Sequence, residues 1–159
     1  MKNNAWFPLF SLLSVLLLAG CSGVKTYPDM ASKNVHVRTK LVEERMFGSI
    51  RADLDIYSVD KKCEAQYLGT VELDKASVDF GIPPGQQTYL VFVFSSKGML
   101  GSAKGSTTYA TLLQPRAGFE YRAEVRYLDD IYNVDLIETQ PGKKSGRGLE
   151  PRRLENCRG

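Results

Sequence analysis

The sequence is poor in the groups that most enzymes work with: its 159 residues include one histidine, His36, and three cysteines. A single imidazole with no nucleophile or orienting group beside it in the sequence gives no basis for acid–base or nucleophilic catalysis, and the chain is read as a non-enzyme. The cysteines and His36 lack the close ligand spacing of a zinc site, and Asp129, Asp130 and Asp135 are too sparse for a calcium loop, so neither metal nor cofactor is expected. An excess of one charge is also missing. Lys and Arg number 21 against 18 Asp and Glu, and a net charge of +3 is far from the basic face of a nucleic-acid binder. The chain has no apolar run of the ~20 residues that a membrane-crossing helix needs, and nothing after residue 20 shows a helical apolar stripe. What is present, 43% hydrophobic and 25% charged residues, is the composition of one ordinary globular domain.

The first 20 residues read as a targeting segment, a signal-peptide helix removed from the mature chain. Lys2 supplies the positive charge, and Trp6 to Leu18 is an apolar run of thirteen. It ends in Leu18-Ala19-Gly20-Cys21, which resembles the lipobox of bacterial lipoproteins at the position where that family carries it. Small side chains at Ala19 and Gly20 let a protease thread the backbone and cut before Cys21, whose thiol is the nucleophile for lipid attachment. The resemblance implies that Cys21 becomes the N-terminus, diacylglyceryl-modified on sulfur and acylated on nitrogen. One fatty chain holds a protein only marginally; three hold it permanently, at ~0.8 kcal/mol per buried methylene. Ser22, where an Asp would favour inner-membrane retention, implies the outer membrane and its periplasmic face.

With Cys21 committed to lipid, Cys63 and Cys157 are left as an even pair in an oxidising compartment, and a disulfide is the economical expectation; two free thiols are the alternative.

Three stretches follow in the mature chain. Residues 21–34 are polar with no apolar periodicity and read as a flexible tether with a reach of ~40 Å at ~3.3 Å per residue. Residues 35–140 are the folded body. Residues 141–159 form a tail in which Lys143, Lys144, Arg147, Arg152, Arg153 and Arg158 face only Glu150 and Glu155, a net +4, while residues 21–140 sum to −2.

The body has a period of two, the mark of half-buried antiparallel strands. In Phe119 to Tyr127, five apolar residues alternate with Glu120, Arg122, Glu124 and Arg126 without a fault. Asp129-Asp130 then supplies turn chemistry and Tyr132 to Glu138 returns, which predicts a hairpin. Further strands are expected at 35–42, 50–59, 67–73, 78–82, 88–95 and 107–113. Residues 88–95 are almost continuously apolar, as in a strand buried on both sides or central in its sheet. The fold class is all-β, an antiparallel sandwich of about seven or eight strands, with a closed barrel as the alternative. The order of Ile82-Pro83-Pro84-Gly85, a long apolar strand, and Ala117-Gly118-Phe119-Glu120-Tyr121 leading another strand resembles small immunoglobulin- or transthyretin-like domains of bacterial lipoproteins, many of unknown function.

Other candidate sites read blandly. His36 alternates with Arg38 and Lys40 opposite Val35 and Val37 and is expected on the surface. Asp53 and Asp55 share a strand face ~7 Å apart, near the range of glycosidase carboxylate pairs, but the wet side of any sheet looks the same. In residues 98–108 the order Lys104-Gly105-Ser106 is wrong for a phosphate loop, which needs Gly-Lys-Ser/Thr. That connection, with Lys97, Met99, Leu100 and Lys104, is instead the candidate partner-contact loop. The basic tail is read either as a binder of anionic surfaces or as a solvated coil tied down at Cys157. Two functions fit: a non-enzymatic binding or assembly module docking a protein of the envelope, with membrane contact through acyl chains, or a lipidated inhibitor of a periplasmic hydrolase.

Overall fold

A computed structural model describes residues 24–41, 49–97, 103–128 and 131–158. Cys21, Met99, Leu100 and the Asp129-Asp130 turn lie outside the described residues, as do the side chains of Lys97 and Lys104. The described chain folds into nine strands: β1 (Val35–Leu41), β2 (Ser49–Val59), β3 (Ala65–Glu72), β4 (Ser77–Phe80), β5 (Thr88–Lys97), β6 (Ala103–Leu113), β7 (Glu120–Leu128), β8 (Ile131–Thr139) and β9 (Arg147–Leu149). A single turn of 3₁₀-helix follows at Leu154–Asn156. The strands form two sheets, β4-β1-β7-β8-β9 and β3-β2-β5-β6. The all-β sandwich expected from the alternation is therefore the fold, and the two separate sheets exclude the closed barrel.

The core lies between the sheets and is filled by the inward members of each alternation. Ala52, Leu54 and Ile56 from β2 and Leu90, Phe92 and Phe94 from β5 join Val35 and Val37 from β1 and Tyr121, Ala123 and Val125 from β7 in one buried cluster. β5 pairs with β2 on one side and β6 on the other. Its apolar run thus reflects a central position, and its outward Tyr89, Val91 and Val93 are half-buried. The predicted hairpin is β7–β8, registered from Glu120↔Thr139 to Leu128↔Ile131. All sheet pairings are antiparallel except β1 with β7, which run parallel from Val35↔Tyr121 to Leu41↔Tyr127.

Two expectations about the flanking segments are corrected. The stretch read as a free tether is packed onto the body from Lys25 onward. Thr26 bridges Thr70 in parallel, Tyr27 N–H donates to the Thr70 carbonyl at 3.0 Å, and Thr70 N–H donates to Lys25 at 2.8 Å. The Tyr27 ring enters the core edge-on to Phe80, and its hydroxyl donates to the Gly81 carbonyl at 3.0 Å. Buried Asn34 clasps Ile82 through both ends of its amide, at 2.9 Å each. The backbones approach so closely that a Cβ at Gly69 would lie 2.6 Å from Tyr27 Cα, and one at Gly81 would lie 2.3 Å from the Ala31 oxygen. Polar composition misled here because the segment is held by backbone bonds and one aromatic anchor, neither of which needs an apolar period.

The tail is not a solvated coil. Arg147–Leu149 adds β9 to the edge of β8, Leu112 N–H donates to the Arg152 carbonyl at 2.8 Å, and Gln87 Nε2 reaches the Cys157 carbonyl at 3.0 Å. Cys63 and Cys157 form a disulfide with Cα atoms 5.8 Å apart. The Asp60 carboxylate shapes the β2–β3 turn that presents Cys63, accepting from the N–H of Lys62 and Glu64 at 2.8 and 2.9 Å.

Two exposed arginines converging on the buried Glu138 carboxylate tie the tail to the β6–β7 connection. Glu138, 8% exposed, accepts from Arg116 at 2.5 and 3.2 Å, from the Tyr121 hydroxyl at 3.1 Å and from Arg147 at 3.1 Å. Tyr121 in turn accepts the Arg116 backbone N–H at 3.0 Å, so its phenol locks the connection onto β7. Burial pushes the Glu138 carboxyl pKa up, but the hydrogen bonds from Arg116 and Tyr121 and the charges of Arg116 and Arg147 outweigh it, and the net direction is down. A carboxyl depressed in the folded state stabilises above its unfolded value, ~4.3, and that contribution is lost as pH falls through the lower folded value. Glu138→Gln is expected to cost about 2 kcal/mol at pH 7, since charged hydrogen bonds are worth ~1.5–3 kcal/mol and both arginines can still reach water. Urea unfolding of the two proteins should show that difference shrinking between pH 5 and pH 2.

Candidate functional site

Two surface features have the geometry to bind something. The first lies on the outer face of the five-stranded sheet, where adjacent strands β4, β1 and β7 place Asp79, His36 and Glu120 side by side. Val35 and Val37 point into the core, so the alternation turns His36 outward, as expected. The imidazole is gripped at both nitrogens, Nδ1 at 2.9 Å from Asp79 Oδ1 and Nε2 at 2.8 Å from Glu120 Oε2. Arg38, Arg122 and Lys144 rim the surrounding groove of about 370 Å³, with Ser77 and Thr139.

Partial burial of His36 lowers its pKa, but the bonds to Glu120 and Asp79 and their charges prevail, and the net shift is upward from 6.5. Carboxylate oxygens at both nitrogens favour the protonated ring and leave no open nitrogen for proton abstraction. A histidine raised in the folded state stabilises fully below its unfolded value and loses that contribution as pH rises through the folded one. The imidazole proton resonances should therefore titrate with a midpoint above 6.5. Wild type should lose its stability advantage over His36→Gln between pH 6 and pH 8.5.

The second feature is the outer edge of β6. Leu112 N–H points away from β5, toward Arg152. By the period of two, the N–H and C=O of Ala110, Thr108 and Ser106 face the same outer side. The tail covers this edge only at its end, through Arg152 bonds to Leu112 and to the Thr111 hydroxyl. From Ser106 to Ala110 no backbone partner other than β5 occurs among the described residues, and residues 105–108 are exposed. The other long edge, β3, is partly closed by Lys25 to Tyr27, while β4 and β9 are only four and three residues long.

Asp53 is held by the Arg51 guanidinium at 2.9 and 3.1 Å and Asp55 by the Thr70 hydroxyl, so each carboxylate has a structural partner. Within the tail, Arg147 is bound to Glu138 and Arg152 to the Asn156 carbonyl, whereas Lys143, Lys144 and Arg153 are exposed. The acidic partners of His36 were invisible to the sequence because 43 and 84 residues separate them from it. Glu138 left a trace: it continues the inward series Val134, Leu136 of β8, a charge in an apolar register. No group of three or more His, Cys, Asp and Glu suited to a metal occurs among the described residues. Comparison of the chain with known protein families, curated proteins and solved structures finds no match.

Proposed function

We propose that this protein is a lipid-anchored lipoprotein of the bacterial outer membrane, facing the periplasm, that docks an envelope protein by strand addition and catalyses no reaction. The open outer edge of β6 carries the docking reading: a row of unpaired donors and acceptors at the rim of a rigid sheet is the template that β-augmentation uses. The anchor rests on Leu18-Ala19-Gly20-Cys21 closing a short apolar run. The Cys63–Cys157 bridge accords with an oxidising compartment.

Thr108→Pro tests the docking mode. The substitution removes an outward N–H without touching the β5 ladder, and proline is tolerated on an edge strand in that orientation. Affinity capture from envelope fractions should recover a salt-resistant protein partner with wild type and lose at least tenfold of it with Thr108→Pro at unchanged thermal stability. Equal recovery with both would sink strand addition, and capture of a hydrolase with loss of its activity would favour the inhibitor reading instead. For the anchor, Cys21→Ser should yield a protein of altered mass that no longer partitions with membranes.

A further inference from the structure

We infer that one end of the sandwich, bearing Lys61, Lys62, Lys143, Lys144 and Arg158, seats on the phosphate headgroups of the membrane that holds the anchor; this rests on the lipid-anchor reading of Cys21.

Chain direction is the first observation. Thr26 runs parallel to β3 at the level of Thr70, so the chain traced back toward Cys21 heads to the start of β3. Five residues separate Thr26 from Cys21, and the same number separates Thr70 from Ala65, where β3 begins. At ~3.3 Å per residue the slack is ~17 Å, less than half of what a free tether would give. An acylated Cys21 is thereby confined near the end of the sandwich formed by the β2–β3 turn.

Charge is the second, independent observation. At that end lie residues 60–64, 81–87, 114–119 and 140–146, which join β2 to β3, β4 to β5, β6 to β7 and β8 to β9. They carry five basic and two acidic side chains. The disulfide brings the chain terminus to the same end, with Arg158 Nη2 reaching the Lys62 carbonyl at 3.5 Å. Of the acids there, Asp60 is taken by backbone N–H groups, while Glu64 and Glu155 are exposed. Among the described residues the opposite strand ends are joined by residues 73–76, which carry one acid and one base, Asp74 and Lys75. Among the described connections the basic excess is gathered at the end toward which the anchor segment runs. Lysines and arginines close to an anionic bilayer gain from its potential, and an anchor that pins them there supplies the proximity.

Lysine acetylation of the full lipidated protein tests this, in vesicles of phosphatidylcholine alone or mixed with phosphatidylglycerol. In the mixed vesicles Lys61, Lys62, Lys143 and Lys144 should react about fivefold more slowly than Lys40 and Lys75 at the other pole, an advantage that high salt abolishes. Lys61→Glu combined with Lys62→Glu, both exposed positions, should reduce the protection of Lys143 and Lys144 while the protein still floats with the vesicles. Uniform labelling of a protein that floats would overturn the orientation and leave the anchor standing. A protein that does not float removes both.

Discussion

Reduction of the Cys63–Cys157 bridge lowers the free energy of unfolding by about 4.5 kcal/mol, the largest single loss expected in this chain. The bridge spans a sequence separation of 94 residues, and the loop-closure entropy it removes from the unfolded chain grows with that span. The native geometry makes the effect more than entropic. Cys63 sits at φ 67° in a turn held by Asp60, and the cysteine at the other end fixes the chain beyond the 3₁₀ turn against Gln87. Denaturant unfolding with and without reductant, and of Cys63→Ser with Cys157→Ser, measures it. A loss below about 1 kcal/mol would mean that Glu138 and the backbone bonds of β9 and Arg152 hold the tail unaided.

Gly81→Ala is expected to cost about 3 kcal/mol. The new methyl would stand 2.3 Å from a backbone oxygen of Ala31, which cannot rotate away as a side-chain tip can, so residues 27–34 must lift. Lifting them withdraws the Tyr27 ring from Phe80 and breaks its hydroxyl bond to residue 81, which approaches the penalty of deleting a core aromatic. Gly148→Ala is the control, because a methyl there meets nothing within 4 Å. It should change stability by less than about 0.5 kcal/mol. Urea midpoints followed by circular dichroism compare the two, and equal effects would show that the segment yields freely.

Those segments mark where reading the sequence stops. Eight strands were legible because each has enough length for its alternation to show, most plainly in Phe119 to Tyr127, and because Pro83-Pro84-Gly85 ends β4 and starts the turn to β5. β9 was not legible: Arg-Gly-Leu has no period, and it is a strand only because Ile137 and its neighbours offer an edge. Tyr27 gave no signal either, one aromatic in a polar stretch whose partner lies 54 residues on. The binding surfaces divide in the same way. His36 was correctly turned outward by the alternation, but its two carboxylates depend on the order β4-β1-β7, and no local pattern specifies that β1 lies parallel to β7. The open side of β6 is likewise a property of sheet order.

That parallel pairing also sets a timetable. β1 cannot find its place until β7 has been made, more than eighty residues later, and the bridge waits for Cys157, close to the last residue of the chain. The five-stranded sheet therefore cannot close until β7 is present, whereas the sheet β3-β2-β5-β6 is built from strands complete by residue 113. The chain should refold in the millisecond-to-second range of all-β domains rich in distant contacts, with oxidation of the bridge as the slowest step.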